Sequence, residues 1–170
     1  MRSRNSLRAI VLATLAGAPL PLLAFPTDSS QTAVTPTVSD YALGMDAWEA
    51  RDWDGVVTYM SKSVEAQPFS DMAWTRLGYA WRRLGNYDKS LAAYDKALAI
   101  NPANRGALEY LAEAHLQMGN VVQARVVAQR LLAACRKAAP GAAVAKFPEG
   151  CEELAILRKN FAALGLKPES

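Results

Sequence analysis

The sequence predicts an all-α fold, an α-solenoid of three stacked helix–turn–helix units closed by a C-terminal capping helix. The first observation is an internal 34-residue period, carried by leucines that each precede a small residue and by two prolines: Leu43-Gly44, Leu77-Gly78, Leu111-Ala112, Pro68 and Pro102. The second is a C-terminal apolar stripe spaced by three and four residues: Cys151, Leu154, Leu157, Phe161 and Leu164. The long period fits two helices and their turns, and the short spacing predicts one further helix.

The first element, residues 1–24, predicts a secretory signal peptide. A head with three arginines precedes an apolar run that ends at Ala24 and is too short to span a bilayer comfortably. We expect cleavage after Ala24 and a periplasmic or secreted location; an uncleaved anchor is the alternative. Residues 25–36 are rich in Ser, Thr and Pro, and this composition predicts a disordered leader.

Removal of the signal would leave a neutral chain. The 170 residues include 19 Lys and Arg and 16 Asp and Glu, and the signal holds three arginines and no acid. The remaining 16 basic residues therefore balance 16 acidic ones. Nucleic acids and anionic membranes attract a net or clustered positive field. We therefore predict no nucleic-acid partner and no membrane insertion after cleavage.

The repeats divide into three copies in unbroken phase, residues 37–70, 71–104 and 105–138. The middle copy places large, small and aromatic residues at eight regular positions: Trp74, Leu77, Gly78, Trp81, Ser90, Tyr94, Ala97 and Pro102. The first copy has Asp40 where the middle one has Trp74, and the third has Arg136 in place of the proline. Gly85-Asn86 predicts the turn between the two helices, and Asn101-Pro102 predicts the end of the second helix.

These residues resemble the tetratricopeptide repeat family, whose 34-residue unit is a helix–turn–helix. The whole chain resembles a short exported member of that family from Gram-negative bacteria. In chaperone-binding members, Lys and Asn in the first helix grip a peptide's terminal carboxylate. Tyr41 and Met45 stand at those positions here, so this specificity is not transferred.

The resemblance also implies a groove, lined by the first helix of each copy, that binds an extended or helical peptide. The packing stripe of the first helix, which in the middle copy is Trp74, Leu77, Gly78 and Trp81, faces the other helices. A second set of residues lies about 150° around those helices from that stripe. It comprises Tyr41, Met45, Trp48, Arg76, Tyr79, Arg82, Arg83, Tyr110 and Glu113. Aromatic residues and arginines dominate binding energy at protein interfaces; ordinary solvated helix surface is the alternative. The three arginines are expected to attract an acidic segment, and Glu109 and Glu113 to repel it.

The remaining elements are a loop, residues 139–150, and the capping helix, residues 151–166. Because an exported chain meets an oxidising compartment, we predict a structural disulfide between Cys135 and Cys151 that ties the cap to the repeats. Free buried thiols, or redox or metal chemistry, are the alternatives. His115, the only histidine, occupies a packing position. We predict no metal site, because one imidazole and two distant thiols do not make a zinc site. We also predict no cofactor and no catalytic residues, because no nucleophile is paired with a base.

These observations favour a non-enzymatic adaptor that binds a peptide or protein partner in the groove, in assembly or biogenesis. A structural module that self-associates into a homo-oligomer is the alternative. A thiol-dependent redox or metallochaperone accessory protein is the weaker one.

Overall fold

The computed structural model describes residues 38–138 and 151–168. Within these residues the chain forms seven helices and no strand. The helices are α1 (Asp40–Glu49), α2 (Trp53–Ala66), α3 (Asp71–Arg83), α4 (Tyr87–Ile100), α5 (Arg105–Gln117), α6 (Val121–Ala138) and α7 (Glu152–Ala163). The predicted fold class is confirmed: α1 to α6 form three hairpins, and α7 packs on α5 and α6. The predicted signal, leader and loop lie outside the described residues.

Five of the helices begin at a residue whose side chain caps the helix. The cap oxygen accepts a hydrogen bond from the backbone N–H three residues later. These cap residues are Ser39, Asp52, Ser70, Asn86 and Asn104. Such caps satisfy an N–H group that has no partner within the helix. Local sequence therefore sets where each hairpin helix begins.

The turn inside each hairpin uses a left-handed residue at the same repeat position. Gly85 has φ 78° and Gly119 has φ 76°, while Arg51 adopts φ 57° in the first hairpin. Glycine takes this conformation without the steric penalty that a Cβ atom brings. The first hairpin therefore carries a strained residue where the other two carry glycine.

The core follows the predicted packing stripe. One apolar cluster fills the space around the first two hairpins, and the second joins α4, the third hairpin and α7. Gly78 sits where a Cβ atom would lie 2.7 Å from the ring of the fully buried Tyr94, and the Ser90 hydroxyl donates to its carbonyl at 2.8 Å. The small residue is thus required for the two helices of the hairpin to approach.

The cap is shorter than predicted. The apolar stripe predicts a capping helix over residues 151–166, but α7 spans Glu152–Ala163, and Gly165 turns the chain with φ 69°. Its inner face buries Leu154, Leu157 and Phe161. Among the described helices, none combines the length and apolar character needed to cross a bilayer.

Candidate partner-binding surface

A continuous row of aromatic rings crosses the three hairpins. The Trp48 ring centroid lies 4.5 Å from that of Tyr79, and Tyr79 lies 4.8 Å from Tyr110. Trp53 joins the row at 5.6 Å from Trp48 and 5.4 Å from Tyr79. All four side chains are half-buried, so each is packed against neighbouring residues and keeps part of its surface exposed to solvent. We call these four residues the aromatic row.

Two arginines of α3 lie on these rings. The Arg76 guanidinium is 4.2 Å from the Trp48 centroid, and the Arg83 guanidinium is 5.1 Å from that of Trp53. Arg83 also donates a hydrogen bond to the Tyr79 hydroxyl at 3.3 Å. Neither arginine forms an ion pair with another described residue. Stacking holds each guanidinium in place, and N–H groups remain available to a carboxylate.

The third arginine of the predicted set, Arg82, lies beneath the aromatic row. Its side chain is buried, and its Nη2 lies 2.7 Å from Glu113 Oε2. The other oxygen of Glu113 accepts a hydrogen bond from Asn160 of α7. Arg82 also faces Tyr79 at 4.8 Å. Arg82 and Glu113 therefore neutralise each other and support the row from below. The expectation that Arg82 attracts an acidic segment and Glu113 repels it is wrong, because the two charges are paired.

Glu109, the second residue expected to repel an acidic segment, is buried. Its side chain is 5% exposed, and burial raises the pKa of its carboxyl group to about 8, with smaller contributions from the Glu113 and Glu153 carboxylates. The Arg82 charge opposes this shift. At neutral pH Glu109 is largely protonated and carries little charge. It therefore does not supply the expected repulsion.

The remaining predicted groove residues, Tyr41 and Met45, lie on α1. Tyr41 and Met45 are half-buried and pack against the first apolar cluster. Trp53 is not among the predicted groove residues, because it begins α2 and that set comprises residues of the first helix of each copy. Tyr87 holds the same repeat position, so the repeated aromatic residue is the sequence signal for Trp53.

The structure joins Cys135 and Cys151 in a disulfide. Their Cα atoms are 5.6 Å apart, and both residues are buried. The bond links the last turns of α6 to the start of α7, the helix that supplies Asn160 to Glu113. This position is compatible with the predicted structural role, which is to link the capping helix to the repeats.

His115 is half-buried, and its Nδ1 has no hydrogen-bond partner among the described residues. Burial lowers the pKa of its imidazole, and the Asp95 charge partly offsets this effect. Across residues 38–138 and 151–168, no three His, Cys, Asp or Glu side chains gather as a metal site would require. What the surface offers is large, supported rings and two cations, the groups typical of a protein interface.

Comparisons with known proteins agree with this architecture. Residues 41–105 and residues 82–147 match two family models, each described as a tetratricopeptide repeat. No curated protein matches the chain.

Solved structures share the fold at low sequence identity. PcrH, in complex with the chaperone binding region of PopD, is similar with a TM-score of 0.61 and 22% identity, over 74% of this chain and 90% of PcrH. The translocator chaperone SycD of Yersinia enterocolitica is similar with a TM-score of 0.61 and 15% identity, over 74% of this chain and 81% of SycD. The TPR2B domain of yeast Sti1, in a complex with pHsp70, is similar with a TM-score of 0.59 and 14% identity, over 70% of this chain and 95% of that domain.

Proposed function

Because the chain belongs to the tetratricopeptide repeat family, we propose that it is an exported, non-enzymatic adaptor that binds a segment of a protein partner along the aromatic row. The observation that carries the proposal is the unbroken ring contact from Trp53 to Tyr110 with two arginines stacked on it. Family members are generally interaction modules, and PcrH and SycD were each solved with a segment of another protein.

The chemistry of the row favours a partner segment that combines apolar and acidic residues. The rings offer apolar area at low entropic cost, since each has few rotatable bonds. Arg76 and Arg83 carry the uncompensated charge beside the rings, because Arg82 is neutralised by Glu113. A carboxylate suits the planar guanidinium fork.

The spacing of the two arginines indicates how far apart the carboxylates of the partner segment should be. Arg76 and Arg83 are seven residues apart on α3, which places them about 10 Å apart along the helix axis. We therefore expect the partner to present two carboxylates on the face that meets α3, separated by about this distance, with an apolar side chain between them that contacts Tyr79.

Residues 1–24 support export, since they have the basic head and short apolar run of a secretory signal. In that setting an adaptor without catalytic groups would position or protect a partner during assembly or biogenesis in the envelope. N-terminal sequencing of the protein recovered from its host tests the export step. A mature chain that begins at Phe25 is expected, and one that retains Met1 would show that the segment is kept.

The binding step can be tested by selecting peptides from a random display library on the immobilised protein. Affinities of the selected peptides are then measured by fluorescence anisotropy for the wild type, Tyr79→Ala and Arg83→Glu. Lys89→Glu is the matched control, because Lys89 also stacks on a tryptophan, Trp81, outside the row.

We expect selected peptides to carry acidic and apolar residues. We expect Arg83→Glu to weaken their binding at least tenfold, which corresponds to about 1.4 kcal/mol, and Lys89→Glu to leave it unchanged. Equal affinity for the wild type and both row variants would refute the proposal. Selection of basic peptides would refute the proposed partner chemistry.

A further inference from the structure

Charge is segregated along the described part of the chain. The first hairpin and its flanks, residues 38–66, carry six acidic side chains against two basic ones. The C-terminal helices α6 and α7 and their flanks, residues 121–138 and 151–168, carry seven basic side chains against two acidic ones. Helix α6 itself contains no acidic residue. The two ends of the described part of the chain therefore carry charge of opposite sign.

The outer side of α6 also departs from its counterparts in the other repeats. At three successive solvent positions of the second helix, α2 has Asp54, Thr58 and Lys62, and α4 has Asp88, Ala92 and Lys96. The same positions in α6 are Val122, Val126 and Arg130. Val122 is 70% exposed and Val126 48% exposed. The acidic residue is lost, and two valines face solvent where the earlier repeats place at most an alanine.

The two valines share one face of α6 with exposed cations. Val122, Val126, Arg130, Arg136 and Lys137 fall within an arc of about 120° at 100° per residue, and all five are exposed. No ion pair joins these three cations to another described residue. We call these five residues the basic face. Apolar centres flanked by charge are typical of a contact surface rather than of a solvated helix.

We propose that the protein associates head to tail with a second copy of itself, the basic face of one copy docking on the acidic first hairpin of the next. The molecule carries both complementary surfaces, and opposite charge would steer and orient the encounter. The exposed valines add apolar area to the contact. Such a heterologous contact produces open chains or rings rather than closed symmetric dimers. Trp48 and Trp53 of the aromatic row lie on the same hairpin, so we place the contact on its exposed acidic side chains, Asp46 and Glu65 among them, rather than on those rings.

The test measures molar mass by light scattering against concentration and salt. At about 0.01 M salt, where the Debye length is about 30 Å, the mass of the wild-type protein should rise with concentration; at about 1 M salt, where it is about 3 Å, the mass should fall to that of the monomer. Arg130→Glu/Lys137→Glu reverses the basic face, and Asp46→Lys/Glu65→Lys reverses exposed charges of the hairpin. Each variant should remain monomeric, with circular dichroism to verify its helical content.

Two further variants make the test specific. Lys89→Glu/Lys96→Glu changes the net charge as the basic-face variant does, but on α4, and it should associate like the wild type. A chain that carries both sets of reversals exchanges the two signs and should regain association. At a protein concentration of about 0.1 mM, a complex whose dissociation constant is about 0.1 mM would be well populated. A wild-type protein that stays monomeric at this concentration and at low salt overturns the proposal. Loss of association in the α4 variant overturns it as well.

Co-sedimentation with phosphatidylglycerol vesicles distinguishes the other occupant of a basic amphipathic face. Self-association would be refuted if the wild-type protein is monomeric and binds these vesicles, and if the Arg130→Glu/Lys137→Glu variant does not bind them. That result would assign the basic face to an anionic membrane. Wild type that associates in solution and ignores the vesicles supports the proposal. The Arg83→Glu variant should associate normally, so failure of the groove and failure of this contact are distinguishable.

Discussion

Substituting Glu109 by Gln should make the protein more stable at neutral and alkaline pH and should flatten its pH dependence. The Glu109 side chain is 5% exposed and is surrounded by the Glu113, Glu152 and Glu153 carboxylates, with Arg82 as the opposing charge. Burial is the main cause that raises its pKa from 4.5 to about 8. Glutamine has the shape and neutrality of the protonated acid, so the substitution removes the titration and preserves the packing.

The direction of this pH dependence follows from the protons that Glu109 binds in the folded and in the unfolded chain. Below pH 4.5 the carboxyl group is protonated whether the chain is folded or unfolded, and its contribution to stability is fully present. Between pH 4.5 and about 8 the unfolded chain releases the proton while the folded chain keeps it. The free energy of unfolding therefore falls as pH rises, by about 1.4 kcal/mol per pH unit from this group alone. Above the folded pKa the loss is complete.

Urea unfolding followed by circular dichroism, at intervals from pH 4.5 to 8.5, measures this effect. The difference in unfolding free energy between Glu109→Gln and wild type should be small at pH 4.5 and should grow to several kcal/mol near pH 8. His115 and the other titrating groups are common to both proteins, so they cancel in the difference. Parallel stability curves for the two proteins would refute the assignment of a buried, protonated Glu109.

Three other substitutions test the packing. Gly78→Ala should destabilise the protein by about 1–3 kcal/mol in urea unfolding, because the new methyl group meets the Tyr94 ring at 2.7 Å; an unchanged midpoint would show that the ring yields. Arg51→Gly should stabilise it by about 1 kcal/mol, since the residue has φ 57°; a lower thermal midpoint would contradict this. Glu113→Gln should cost about 3–5 kcal/mol because it leaves the buried Arg82 charge without its partner; a cost below about 1 kcal/mol in urea would mean that water compensates the charge.

The hairpins follow from local sequence. The 34-residue interval, the small residue after each leucine, and the capping residues act within a hairpin or at its ends. Gly78 predicts the close approach of the two helices of its hairpin from the sequence of that repeat alone. The 3.6-residue period places it on the face of α3 that packs against α4, where Tyr94 needs the space. The predicted set of groove residues rests on the same periodicity, and its role as a binding site stays a prediction.

Tertiary packing decided which of those residues remain available to a partner. Arg76, Arg82 and Arg83 look alike in the sequence, yet within the described part of the chain only Arg82 of the three forms an ion pair with a carboxylate. Helix α5 brings Glu113 beside it, and α7 brings Asn160 to the other oxygen of Glu113. Periodicity specifies the face of a helix on which a side chain lies, and it cannot specify what a helix distant in sequence places next to it. Helical pattern thus determined the hairpins and their exposed faces. The neutralised Arg82, the protonated Glu109 and the aromatic row emerged only from the way the hairpins and α7 pack together.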